Sequence, residues 1–333
     1  MCTALTLKTP DGYHLFGRNM DLEYTFGQHP IVVPRKFEYI DKISGEMKQT
    51  KYAIVGMASV VENHPLFAEA VNEKGLGCAG LNFPAAYWEK EAVEGMENMP
   101  PYDLIPWITG NFETIDELRP HLDKVNLVGV PFAENLQLPT LHWIVTDLTG
   151  KSIVIEKTKE AFKVYDNPVG VMTNAPSFDW HTTNLSQYMN VIPTQPQARN
   201  WSDLELKPIG SGTGAIGLPG DFSSPSRFVR VAFLRAKIVI ENKENDGIVE
   251  FFHILNNVAM VKGAVITADN KNEITQYTSC MCQEKGLYYY KTYDNNQINV
   301  VDMNKVDLDS REIKVFPYND TQVFNALNWI KIN

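Results

Sequence analysis

The chemistry in this chain begins at its second residue. Cys2 follows Met1, and removal of Met1, usual when the next residue is small, leaves a thiol and a free α-amine on one residue. A free α-amine has a pKa of about 7.7–8.0 and a free thiol about 8.5. The amine can therefore act as base at neutral pH, and the thiol is the stronger nucleophile once deprotonated. This is the N-terminal-amine form of an activated nucleophile. The bland alternative is a small hydrophobe at a fraying terminus. The other three cysteines, Cys78, Cys280 and Cys282, suggest no such chemistry. Cys280-Met281-Cys282 has the wrong spacing for a zinc pair and lacks a second pair, so both read as small buried residues on one face of a strand. The seven histidines are scattered without ligand spacing, and no metal is expected.

The element that must position Cys2 is a hairpin. Residues 2–8 and 13–21 alternate as strands, with Asp11-Gly12 as a two-residue turn signal. A strict two-residue loop pairs residues whose numbers sum to 23, which sets Asp21 opposite Cys2. A carboxylate then stands within reach of the new α-ammonium. Alternation places Arg18 on the other face from Asp21, so the chain must turn for both to reach Cys2, and Gly17 is the expected place.

Beyond the hairpin, short strands are expected at 31–34, 37–40, 52–57, 67–71 and 76–83, helices near 102–109 and 115–125, and strands at 141–146, 152–156 and 162–165. Leu127–Pro139 is a mostly apolar loop, either packed or lining an apolar pocket. Residues 180–189 look helical, and 190–222 form a polar excursion containing Pro and Gly. Helices follow at 224–241, with Ser224 as N-cap and Pro225 at N1, and at 247–260. Strands at 274–282, 287–293 and 297–303 come last. Groups of strands alternating with groups of helices give an α+β fold with antiparallel sheets, rather than alternating βαβ units. No internal repeat or linker divides the chain, and 2–333 reads as one domain.

Composition limits the partners. The 333 residues are 44% hydrophobic and 21% charged, as in a soluble globular protein, and the net charge of −10 opposes nucleic acid or an anionic membrane as partner. There is no run of 18 apolar residues and no apolar signal core at the N-terminus, so we expect a cytoplasmic protein with free thiols. Gly212-Thr213-Gly214-Ala215-Ile216-Gly217 fits G-x-G-x-x-G, but Leu218-Pro219-Gly220 is a poor helix opening; a turned loop is the better reading.

Three further residues are candidates. Arg227 falls in the first turn of its helix, where the macrodipole disfavours a cation, so a carboxylate or functional anion is one reason for it and simple exposure another. Asn82 and Asn174 end apolar strands; an amide there can donate to a developing oxyanion, or merely cap a turn.

Met1-Cys2-Thr3, Gly17-Arg18-Asn19-Met20-Asp21, Gly80-Leu81-Asn82-Phe83-Pro84, Thr173-Asn174-Ala175-Pro176 and Pro225-Ser226-Arg227-Phe228 together resemble the choloylglycine hydrolase family. This family holds bile salt hydrolases and penicillin V acylases, within the N-terminal nucleophile hydrolases. The resemblance spans essentially the whole chain. It implies a four-layer αββα sandwich of two antiparallel sheets between helical layers, a homotetramer, and a cofactor-free amidase. It implies that Cys2 attacks the amide, that Asn174 and the Asn82 backbone N–H stabilise the oxyanion, and that Asp21 holds the α-amine. Arg18 and Arg227 would hold Asp21 and favour the thiolate. Met20, Ala68, Asn82, Phe132 and Leu136 resemble the family's substrate-pocket positions. The Asn at 82 favours a conjugated bile salt over penicillin V, since several penicillin V acylases carry Tyr there. A non-catalytic steroid- or fatty-acid-binding protein is the alternative from another class; binding alone would need none of Cys2, Arg18, Asp21, Asn174 and Arg227.

Overall fold

The computed structural model describes residues 1–134, 136–241 and 245–327. Two large sheets are stacked face to face. The first runs in the order Val171–Met172, Cys2–Lys8 (β1), His14–Leu22 (β2), Ile274–Cys282, Leu287–Thr292, Asn299–Asp302. The second runs Phe162–Asp166, Ser152–Lys157, Leu141–Thr146, Gly77–Asn82, His64–Asn72, Ile54–Val61, His29–Val33, Lys314–Val315. Every pairing within these two sheets is antiparallel.

Alternation in the second sheet feeds two separate cores. Val71, Ala79, Ile144 and Val154 point between the sheets, while their neighbours Ala70, Cys78, Val145 and Ile153 face helices Leu104–Asn111 (α1) and Ile115–Leu122 (α2). Ser224–Lys237 (α4) and Asp246–Asn256 (α5) cover the outer face of the first sheet; α3 is the short helix Phe178–Asn184. The result is helices, sheet, sheet, helices, as the resemblance implies. At Gly77 a Cβ would stand 2.7 Å from the Phe16 ring, so the small-residue strand lets the other sheet press close.

Three local expectations are corrected. The first hairpin has a five-residue loop, Thr9–Tyr13, so its pairs run from Lys8↔His14 to Cys2↔Met20. The odd loop shifts the register by one and sets Cys2 opposite Met20, not Asp21. Directly paired residues share a face, and so do i and i+2, so Arg18 lies on the face of Cys2 without any bulge at Gly17. Gly17 is small for another reason: a Cβ there would collide with the backbone of Ser279. The register shift that does occur lies in the neighbouring strand, between Thr275 and Tyr277. In helix α4 the N-cap position falls to Ser223, whose side chain makes no capping hydrogen bond; Ser224 is the first helical residue, and the helix ends at Lys237. The excursion at 190–222 holds a small hairpin, Arg199–Trp201 with Leu204–Leu206. The glycine-rich segment there forms one 3-10 turn, Thr213–Ala215, as a turned loop should.

Candidate active site

The shifted register brings the thiol and a guanidinium together. Arg18 is completely buried and its Nη2 donates to Cys2 Sγ. Its other donors are used by backbone: Nη1 to the Gly80 carbonyl at 2.6 Å and the Ala68 carbonyl at 3.3 Å, and Nε to the Asn19 carbonyl at 3.3 Å. The Met20 sulfur lies 3.4 Å from Nη2. Burial alone would lower the Arg18 pKa, but Cys2, Tyr277, Glu69 and Asp21 hold it above the ordinary value. Arg18 is therefore a fixed cation against the sulfur.

A second buried arginine approaches from α4. Arg227 sits where the chain enters the helix, and its Nη1 donates to the Cys2 carbonyl at 2.5 Å and to Thr3 Oγ1 at 2.6 Å. Its Nη2 reaches Asn174 Oδ1 at 2.7 Å and its Nε the Phe222 carbonyl at 2.9 Å. Its poor position on the helix macrodipole is offset by these acceptors. Asn174 is gripped on all sides. Its Oδ1 accepts from the Cys2 N–H at 2.9 Å and its Nδ2 donates to the Asn82 carbonyl at 2.7 Å. Ser224 Oγ accepts its backbone N–H at 2.9 Å, and His181 Nε2 donates to its carbonyl at 2.9 Å. Asn174 is therefore more than a turn cap.

Asp21 differs from expectation. Neither Arg18 nor Arg227 hydrogen-bonds its carboxylate among the described residues; Thr275 Oγ1 donates to Oδ1 at 2.6 Å instead. Arg18 points the other way because alternation puts it on the opposite face, and Arg227 is occupied by Cys2, Thr3 and Asn174. Oδ2 of Asp21 is buried and without a partner among the described residues. Burial raises its carboxyl above the ordinary range, opposed by Arg227, the N-terminal ammonium and Thr275. In the chain with Met1 in place, the Met1 ammonium pairs with Glu273 and donates to the Asp21 carbonyl at 2.7 Å.

The structure thus brings Cys2, Arg18, Asp21, Asn82, Asn174 and Arg227 to one place, with Met20 and Ala68 touching Arg18. The Asn82 side chain is exposed and accepts from Thr140 Oγ1 at 2.9 Å. On the apolar loop, Phe132 is buried against His64 and Tyr102 with Lys42 over its ring, while Leu136 is 37% exposed. Residue reading missed the supports. His181 stacks on Phe228, its ring centroid 4.7 Å away, as it holds Asn174. His142 stacks on Phe83, and its Nε2 reaches the Thr173 carbonyl at 2.9 Å. Tyr24 is half exposed, and proximity to Cys2 contributes to its raised pKa, behind burial and Glu23. The one sequence signal for these was a polar residue inside an apolar strand, as at His142 and Glu69.

Among the described residues no helix is long and apolar enough to cross a membrane. The model of linear amide C–N hydrolases, choloylglycine hydrolase family, matches residues 2–316. A bile salt hydrolase/transferase of Clostridium perfringens is 51% identical, over 98% of this chain and 100% of that protein. A bile salt hydrolase/transferase of Lactiplantibacillus plantarum is 42% identical over the same 98% and 100%. A crystal structure of a variant of conjugated bile acid hydrolase from Clostridium perfringens matches with a TM-score of 0.93 at 51% identity, covering 98% of this chain and 100% of that one.

Proposed function

Since the chain belongs to the choloylglycine hydrolase family of linear amide C–N hydrolases, we propose that it cleaves glycine- and taurine-conjugated bile acids, with Cys2 as N-terminal nucleophile after loss of Met1. The observation that carries the mechanism is the convergence on Cys2: Arg18 on its sulfur, Asn174 on its nitrogen and Arg227 on its carbonyl.

In the mature chain the Cys2 nitrogen is an amine. It takes the thiol proton, directly or through water, and the thiolate beside Arg18 attacks the amide carbon. The unpartnered Asp21 Oδ2 is a natural acceptor for the α-ammonium that forms. Asn174 Nδ2 and the Asn82 N–H receive the oxyanion. The ammonium returns its proton to the departing amine of glycine or taurine, leaving a thioester on Sγ. Water, deprotonated by the same amine, hydrolyses the thioester. Each proton removed is returned, so no cofactor enters. Met20, Ala68, Phe132 and Leu136 supply apolar surface for the steroid, which at roughly 25 cal/mol per Å² of buried apolar area outweighs a solvated anionic tail.

Free thiols at all four cysteines suit a reducing compartment, and we place the enzyme in the cytoplasm. Trp201, Leu204 and Ile209, exposed on the 190–222 excursion, suit burial against other copies in a homotetramer. Light scattering on wild type and Trp201→Glu checks this: tetramer against smaller species supports it, monomer in both removes it. The decisive test of function is product analysis with glycocholate, taurocholate and penicillin V, paired with intact mass. Deconjugation by protein lacking Met1 is expected. Preference for penicillin V by kcat/KM would overturn the bile salt assignment, and full activity with Met1 retained would overturn the mechanism.

A further inference from the structure

A fully buried carboxylate stands behind Arg18, on the side away from the sulfur. Glu69 comes from the second sheet, in the apolar run Phe67-Ala68-Glu69-Ala70-Val71, and is 0% exposed. Its Oε1 accepts from the Tyr288 hydroxyl at 2.5 Å and its Oε2 from the Tyr277 hydroxyl at 2.8 Å. Both tyrosines belong to the first sheet, so the carboxylate bridges the inter-sheet core. Arg18 Nη1 lies 3.9 Å from Oε2. The facing titratable or charged groups are Arg18 from β2, Tyr277 from Ile274–Cys282 and Tyr288 from Leu287–Thr292. Cys2 on β1 meets the other nitrogen of Arg18 and is also faced by Arg227 from α4 and by Tyr24 just past β2, while Asp21 acts on both arginines.

A charge in an apolar core is costly unless it is paired and hydrogen-bonded, and Glu69 has both kinds of partner. Both phenols have pKa values pushed well above the ordinary one, with burial the largest cause, so they are donors and the carboxyl oxygens are acceptors. Burial holds the Glu69 carboxyl above its ordinary range, outweighing the opposing pull of Arg18, Tyr288 and Tyr277. The backbone carbonyls of Gly80 and Ala68 also bond the guanidinium, but they carry no net charge. Among the described residues Glu69 is the carboxylate within ion-pair reach of Arg18.

We propose that Glu69 is a positioning residue for Cys2, one that holds Arg18 in place and divides its positive charge between carboxylate and sulfur, and so sets the pH at which the nucleophile ionises. The proposal rests on the N-terminal nucleophile reading. An Arg18 shared with Glu69 stabilises the thiolate less than a lone cation does.

The test is the pH profile of Cys2 alkylation by iodoacetamide, with the modified residue mapped by peptide mass, in wild type, Glu69→Gln and Tyr288→Phe. Glu69→Gln keeps the shape and removes the charge. Its alkylation midpoint should fall by about one pH unit, so that alkylation below the midpoint is about tenfold faster. Tyr288→Phe weakens the carboxylate and should shift the midpoint the same way by less; it also serves if Glu69→Gln does not fold. A midpoint unchanged or raised in the folded variants overturns the role of Glu69, whatever the turnover. Label mapping to another cysteine in wild type overturns the nucleophile reading itself, and the proposal with it.

Discussion

His181 links acid pH to the failure of this site. Its Nε2 donates to the Asn174 carbonyl, its ring lies flat on Phe228, and its side chain is 2% exposed. Burial pushes its pKa from 6.5 down to about 4; His142 and Arg227 add repulsion, and the Asn174 carbonyl opposes it. A lowered histidine pKa means that the unfolded chain binds the extra proton between the two values. Stability is then complete above the unfolded pKa and is lost as pH falls from 6.5 toward 4. The shift of about 2.5 units corresponds to about 3 kcal/mol at most, at 1.36 kcal/mol per unit, of which about 2 kcal/mol has gone by pH 5. That is a large share of a typical stability of 5–15 kcal/mol. Carboxylates whose pKa is held down, such as Asp221 at about 2, release their stability at lower pH and do not supply this slope.

The assay is urea unfolding from about pH 7.5 to 4.5 in wild type and His181→Gln, which cannot titrate. Groups common to both chains cancel in the difference. Wild type should lose about 2 kcal/mol more than the variant between pH 7 and 5. Turnover of the folded enzyme should hold down to about pH 5, where His181 is still mostly neutral, and should fall only as pH nears 4 and an imidazolium forms beside Arg227. Parallel stability curves for the two proteins would refute the reasoning, since the burial of His181 would then have no protonation consequence.

Other outcomes follow from the same geometry. Cys2→Ser keeps the α-amine but offers a far less acidic hydroxyl, so turnover should collapse while substrate binding, read by calorimetry, persists. Cys78→Ala, Cys280→Ala and Cys282→Ala should leave chemistry intact at some cost in stability, because burial pushes those thiols up and they touch no part of the site; steady-state kinetics decide. Asn174→Ala removes the proposed oxyanion donor and the acceptor for both Arg227 and the Cys2 nitrogen, and kcat should fall by at least ~10²-fold. Phe132→Ala should raise KM for glycocholate and taurocholate by a similar factor with kcat less affected, as for lost uniform binding.

The sequence made the nucleophile legible because its partners are local. Cys2, Arg18 and Asp21 lie on one hairpin, and residue type alone states the chemistry. Which face each occupied was not legible, because parity depends on loop length. Asp11-Gly12 reads as a two-residue turn, yet five residues close the loop. That single residue of register places Arg18 against the thiol directly and leaves Asp21 to Thr275. Asn82, Asn174 and Arg227 come from three distant elements, and only the resemblance joined them in advance. Glu69 and His181 escaped both routes. Glu69 reads as one polar residue on an apolar strand, and its meaning appears only when the other sheet supplies Tyr277, Tyr288 and Arg18. Ser224 reads as a helix cap, but it is the first helical residue and its hydroxyl accepts from the Asn174 backbone instead. Local chemistry is thus readable along the chain, whereas the groups that tune it depend on how two sheets meet. Substitutions that alter sheet stacking, such as at Gly77 against Phe16, should therefore disturb Arg18 and Cys2 without touching either.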